Sequence, residues 1–167
     1  MNLQIDYLDN HRYAIPRLAE LHHAEWLSVT PTLTVADRMS GFEARARHGS
    51  IPTGFVAIDD DAVVGMACLV ECDIESHCHL TPWLASVLVA PAYRRRGVGS
   101  ALAIRATDEA IQLGVSELFL FTFDRQSFYS RLGWQALESA MYAGRDGTVM
   151  SRRLLPETAP RGWAANR

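Results

Sequence analysis

Three consecutive guanidinium groups, Arg94, Arg95 and Arg96, run into Gly97, Val98, Gly99 and Ser100. Guanidinium forks hydrogen-bond phosphate and carboxylate oxygens in pairs. Glycines let a ligand approach the backbone closely. Upstream, "PWLASVLVAP" reads as a buried strand ended by Pro91. Downstream, Val98, Leu102, Ala106, Ala110 and Leu113 fall on one stripe of a helix that Gly114 stops. A strand, a glycine turn and a helix start in succession form an anion site. The first-turn N–H groups lack intrahelical partners, and the helix dipole adds roughly half a positive charge.

Two familiar phosphate loops are excluded. A P-loop needs GxxxxGK followed by Ser or Thr, and this chain has no lysine. A dinucleotide fingerprint needs a third glycine, which "GVGSAL" lacks. Cys72, His77, Cys78 and His79 fit no standard zinc spacing, so no metal is expected. Cys68 and Cys72 read as core residues on one face of a strand.

The elements around the turn follow from periodicity. Leu3 to Leu8 alternates as a strand, and a helix spans about Tyr13 to Leu27. Thr34 and Asp37 form a capping box ahead of a helix carrying Val35, Met39, Phe42 and Ala46 on one face. Two apolar runs flank Asp59, Asp60 and Asp61 as a hairpin. "SELFLFTF" reads as a strand, "DRQSFYSRLG" as a short helix, and "WQALESAMY" with "TVMSRRLL" as a last hairpin across "AGRDG". The order β-α-α-β-β-β-α-β-α-β-β is an α/β chain around a mixed sheet.

With 167 residues, 49% of them hydrophobic, the chain suggests one domain over residues 1–155 and a loose tail over 156–167. Its net charge of -3 argues against coating nucleic acid, so the anion site must be local. All 16 basic residues are arginine, which excludes a lysine nucleophile. No signal peptide is visible and no apolar run reaches the ~20 residues of a membrane span. The expectation is therefore a cytoplasmic protein with no membrane partner.

"VLVAPAYRRRGVGSALAIRATDEAIQLG" resembles the central acetyl-CoA motif of the GNAT N-acetyltransferase superfamily, Arg/Gln-x-x-Gly-x-Gly/Ala behind an apolar-x-Val-x-Pro strand. Arg94, Gly97 and Gly99 make the match, behind Val87, Val89 and Pro91. "FYSRLGW" is similar to a second family segment, aromatic-Tyr-x-x-Leu-Gly-Phe/Trp. The match covers Gly54 to Leu154 in element order and the first 50 residues in outline. The resemblance implies a GNAT-like fold: a mostly antiparallel sheet with a splayed parallel strand pair, flanked by about four helices.

It also implies acetyl-CoA as cosubstrate and an amine acceptor. Backbone amides from Arg95 through Arg96, Gly97, Val98 and Gly99 to Ser100 would hold the pyrophosphate, with the Arg94, Arg95 and Arg96 side chains adding attraction and phosphate hydrogen bonds. The strand holding Val87, Leu88 and Val89 would pair with the pantetheine arm like an added strand. An amide at Val87 or Leu88 would receive the oxyanion. Tyr129 matches the family tyrosine beside the CoA sulfur and would act as general acid.

No acidic residue occurs on Trp83–Val89, the strand where many members carry a glutamate base. The candidates become Glu71, Asp73, Glu75, His77 and His79, with Glu71 preferred because it still lies in the strand reading. His22 and His23 sit on the first helix, which lines the acceptor side in the family. The reaction expected is direct acetyl transfer to a primary amine of a small or amino-acid-like molecule. A protein N-terminal acetyltransferase and a non-catalytic acyl-CoA sensor are the alternatives, and a homodimer is left open.

Overall fold

Apolar alternation with period two builds a sheet that is covered on both faces. The protein was analysed as a computed structural model describing residues 1–154. The tail expected over residues 156–167 lies outside the described residues. The strands are β1 (Leu3–Tyr7), β2 (Thr53–Asp59), β3 (Ala62–Val70), β4 (Trp83–Val89), β5 (Glu117–Thr122), β6 (Gln135–Tyr142) and β7 (Arg145–Arg153). The helices are α1 (Ile15–Trp26), α2 (Val35–Arg45), α3 (Val98–Gln112) and α4 (Gln126–Arg131). The element order is the one read from the sequence.

The seven strands lie in the order β1-β2-β3-β4-β5-β7-β6. Every neighbouring pair is antiparallel except β4 and β5. That parallel pair is in register at Trp83 and Phe119 alone. The Phe119 amide donates to the Pro82 carbonyl at 3.0 Å, and beyond it the two strands part.

On one face, α1 and α2 pack Leu18 and Phe42 against Val56, Met66, Trp83 and Leu88. On the other, α3 sets Val98, Leu102, Ala106 and Ala110 against Phe55, Leu69 and Leu84. A buried carboxylate fixes α3 to the first strand. Glu109 accepts from Tyr7 Oη at 2.7 and 2.8 Å and from Arg105 Nη1 at 2.9 Å. Partners of this kind are what make a buried charge tolerable.

Turn chemistry accounts for the shifts from the sequence expectations. The second helix has its capping box, Thr34 with Asp37, but ends at Arg45, with Ala46 as its C-cap rather than a helical residue. The last hairpin turns on Ala143 and Gly144 alone, both with positive φ, so its strands extend into "RDG". Helix α3 begins at Val98 because Gly97 is its N-cap, with φ +82°.

Strands β3 and β4 approach so closely at Gly65 that a Cβ there would lie 2.5 Å from the Leu88 carbonyl oxygen. Gly65→Ala must push the two backbones apart. The expected cost is about 1–3 kcal/mol, read as a lower urea midpoint. An unchanged midpoint would contradict this account of the β3–β4 contact.

Candidate active site

Six successive amides that make no close hydrogen bond among the described residues mark the first half of the site. The Arg94 amide donates to Pro91 and the Ala101 amide to Gly97. Between them, no amide from Arg95 to Ser100 makes a close, well-aligned hydrogen bond among the described residues. Arg95 and Gly97 both adopt left-handed backbone, φ +59° and +82°, an alternation that turns successive N–H groups to one side. The arginines divide their tasks. Arg94 is committed to the fold: Nε donates to the Val89 carbonyl at 3.1 Å and Nη2 to Glu25 at 2.6 Å. Arg96 lies over the Tyr93 ring. Arg95 is exposed.

The second half is the gap where β4 leaves β5. Strand β4 carries an extra residue there, since Met66 pairs with Leu88 but Cys68 pairs with Ala85. Ser86 takes a positive φ of +53° at this bulge. The bulge changes the strand's phase, so that Ala85 and Leu88 both face α1 and α2. The Ala90 amide donates back to Val64 of β3. By alternation, the Val87 and Val89 amides face the open gap.

A cavity of about 530 Å³ opens from this gap toward α1 and α2, with Ser86, Val87 and Tyr129 in its wall. Asp73 also lines it. Asp73 is exposed by surface area, as Glu71 and Glu75 are, but unlike them it lies in the cavity wall, where protein atoms crowd around it. That desolvation pushes its pKa up to about 6, and the charge of Arg45 acts in the opposite direction. Desolvation, assisted by the charge of Asp73, pushes the Tyr129 phenol up to about 12. Tyr129 therefore keeps its proton at neutral pH.

The remaining candidates fall elsewhere. Glu71 and Glu75 are exposed and do not line the cavity. His77 stacks near His79 and lies 3.3 Å from Glu138 of β6. Trp83 is wholly buried, its Nε1 donating to the Leu80 carbonyl at 2.6 Å. Cys72 is not on a strand, as its apolar neighbours suggested. Strand β3 ends at Val70, and Cys72 forms a disulfide with Cys78. The loop they close holds Asp73 beside Ile74, which is buried in the core. Cys68 is a fully buried thiol pushed up by desolvation.

Sequence reasoning passed over Arg38, Arg45 and Ser86. Arg38 and Arg45 lie four residues before and three after Phe42, on the buried face of α2. Two arginines at core-facing positions were the available signal. Arg38 Nη1 donates to His22 Nδ1 at 2.8 Å. Burial first, then the charges of Arg38 and Arg45, pull the His22 pKa down to about 3.

Residues 15–134 match the sequence profile described as Acetyltransferase (GNAT) family. Among solved structures, yncA from Salmonella typhimurium, determined with its cofactor acetyl-CoA, superposes with a TM-score of 0.74 at 22% identity. That match covers 98% of this chain and 100% of the other. An aminoglycoside 6'-N-acetyltransferase complexed with coenzyme A gives 0.74 at 16% identity, over 93% and 99% of the two chains. An acetyltransferase from Streptococcus agalactiae 2603 gives 0.68 at 19%, over 92% and 99%. At these identities the likeness is one of fold. A search of curated protein sequences gave no significant match.

The lowered His22 pKa has a consequence for stability. Between its ordinary value of 6.5 and about 3, the unfolded chain binds a proton at this ring that the folded chain refuses. Stability therefore falls as pH drops through that window. His22→Asn is expected to flatten the fall in urea midpoint between pH 6.5 and 4. Equal slopes in the two proteins would remove His22 from the account.

Proposed function

The chain belongs to the GNAT acetyltransferase family, and from that premise we propose that it moves an acetyl group from acetyl-CoA to a primary amine held in the cavity. The observation that carries this reading is the run of amides from Arg95 to Ser100 without a close hydrogen bond among the described residues, one gap away from a cavity lined by a carboxylate and a phenol. The residues suit the cosubstrate. The amides and the exposed Arg95 fit a pyrophosphate. The open edge of β4 offers Val87 and Val89 to an extended amide-bearing arm. Arg94 serves indirectly, by holding the end of β4 to α1.

Acetyl-CoA supplies the acetyl group as a thioester, activated for attack by nitrogen. Asp73 takes a proton from the ammonium or attacking amine, directly or through one water. A pKa near 6 leaves it mostly ionised at neutral pH yet basic enough to act. The Val87 amide donates to the acetyl oxygen as negative charge grows there. Tyr129 gives its proton to the departing sulfur. The C–N bond forms as the C–S bond breaks, and no enzyme nucleophile takes part. Direct attack is supported by the cysteines: Cys68 is buried with its thiol pushed up, and Cys72 and Cys78 are bonded to each other.

Thiol release from acetyl-CoA across a panel of primary amines tests the reading. Tyr129→Phe should cut turnover by about 10²–10⁴ while acetyl-CoA affinity holds. Acetyl-CoA binding with no thiol release on any amine would instead identify an acyl-CoA sensor. The assignment of Asp73 rests on a separate measurement. With a good acceptor, kcat/KM should rise with pH through about 6. Asp73→Asn should lower the rate and remove that limb; a limb that survives the substitution would move the base elsewhere.

A further inference from the structure

Arg38 is a buried cation that forms no ion pair among the described residues, with the charge of the neighbouring Asp37, itself held in the helix cap, acting in its favour. It is 5% exposed. Its Nε donates to His23 Nδ1 at 3.3 Å, Nη1 to His22 Nδ1 at 2.8 Å and Nη2 to Thr30 Oγ1 at 2.9 Å. No carboxylate lies within ion-pair distance of it among the described residues. Arg45 is half-buried in the same wall, and its Nη1 donates to Ser86 Oγ at 3.2 Å. Asp73 feels the charge of Arg45 without forming an ion pair with it. The other nearby acids are engaged: Glu25 pairs with Arg94, and Asp37 is held in the helix cap by Thr34. A buried charge left unpaired is among the costliest arrangements a fold can keep.

The direction of the hydrogen bonds can be worked out. A guanidinium only donates, so His22 Nδ1 accepts from Arg38. The neutral ring then carries its proton on Nε2 and donates to Ser86 Oγ at 3.3 Å. Ser86 Oγ thus accepts from both His22 and Arg45. Both lone pairs of that oxygen are occupied, and its own O–H has no acceptor among the described residues. Ser86 lines the cavity. Two guanidiniums and a hydroxyl with a proton to give line a cavity in which, among the described residues, no carboxylate, Asp73 included, is ion-paired with either guanidinium.

We propose that Ser86 and Arg45 seat a carboxylate of the acceptor, with Arg38 orienting His22 and adding charge, so that the acceptor is an amino acid rather than a simple amine. This rests on reading the cavity as the acceptor site. The carboxylate would accept from Ser86 Oγ and Arg45, and the amine of the same molecule would face Asp73. The acceptor would bring the missing counter-charge with it. A purely cationic amine would leave Arg38 and Arg45 unsatisfied and add repulsion.

Matched triples test the proposal: an L-amino acid, its primary amide and its decarboxylated amine, built on methionine, phenylalanine and glutamine. The best acid should exceed its own amide and amine in kcat/KM by at least about tenfold. Arg45→Gln should collapse that acid-over-amide ratio toward one, with acetyl-CoA affinity as the check on folding; Arg38→Lys serves as a second variant. Amides or amines that equal or beat the acids across all three triples overturn the proposal. So does a ratio that survives Arg45→Gln. If no compound releases thiol, the acetyl-transfer reading fails, and the seat is judged by calorimetry on the CoA-loaded protein. Tighter binding of N-acetyl-methionine than of its amide then supports the seat, and equal or absent binding of the two overturns it.

Discussion

The backbone hydrogen bonds that β4 does not make with β5 shape everything else in this protein. Two parallel strands joined at Trp83 and Phe119 alone leave a row of amides and carbonyls unpaired inside a sheet. A sheet buried on both faces tolerates that only where something else supplies partners. The bulge at Ser86 belongs to the same arrangement. It restores the pairing of β4 with β3 after one extra residue and re-aims the strand at the gap. The glycine turn that follows sits at the end of this strand, and the cavity opens where the strands part.

Within the cavity, environment separates groups that would otherwise behave alike. Burial raises Asp73 and Tyr129, and it lowers His22. At neutral pH the site therefore holds a carboxylate able to take a proton, a phenol able to give one, and an imidazole that stays neutral between two arginines. Helix α2 is central to the arrangement, because its core-facing side supplies guanidiniums where an ordinary amphipathic helix would supply leucine.

The turn was legible because its chemistry is local. Strand, glycines and helix are contiguous in the chain, so spacing alone specifies an array of amides. The place of Tyr129 in the cavity wall was legible through a short motif of the same kind. The base was not. Glu71 and Asp73 are two residues apart, and only the end of β3 at Val70 and the bond from Cys72 to Cys78 decide which one meets the cavity. The contacts of Arg38, Arg45 and Ser86 were illegible for a related reason. Their partners lie on α1, α2 and β4, up to 64 residues apart, and the bulge that places Ser86 leaves no mark in apolar alternation. Sequence spacing reports neighbours along a strand or helix; it does not report which two elements touch.

The crosslink between Cys72 and Cys78 makes Asp73 a member of a small covalent ring whose neighbouring Ile74 is anchored in the core. A ring of that size has few shapes to choose from even before a substrate arrives, so the entropy of fixing the carboxylate is spent during folding. A molecule entering the cavity therefore meets a carboxylate whose place was set when the chain folded.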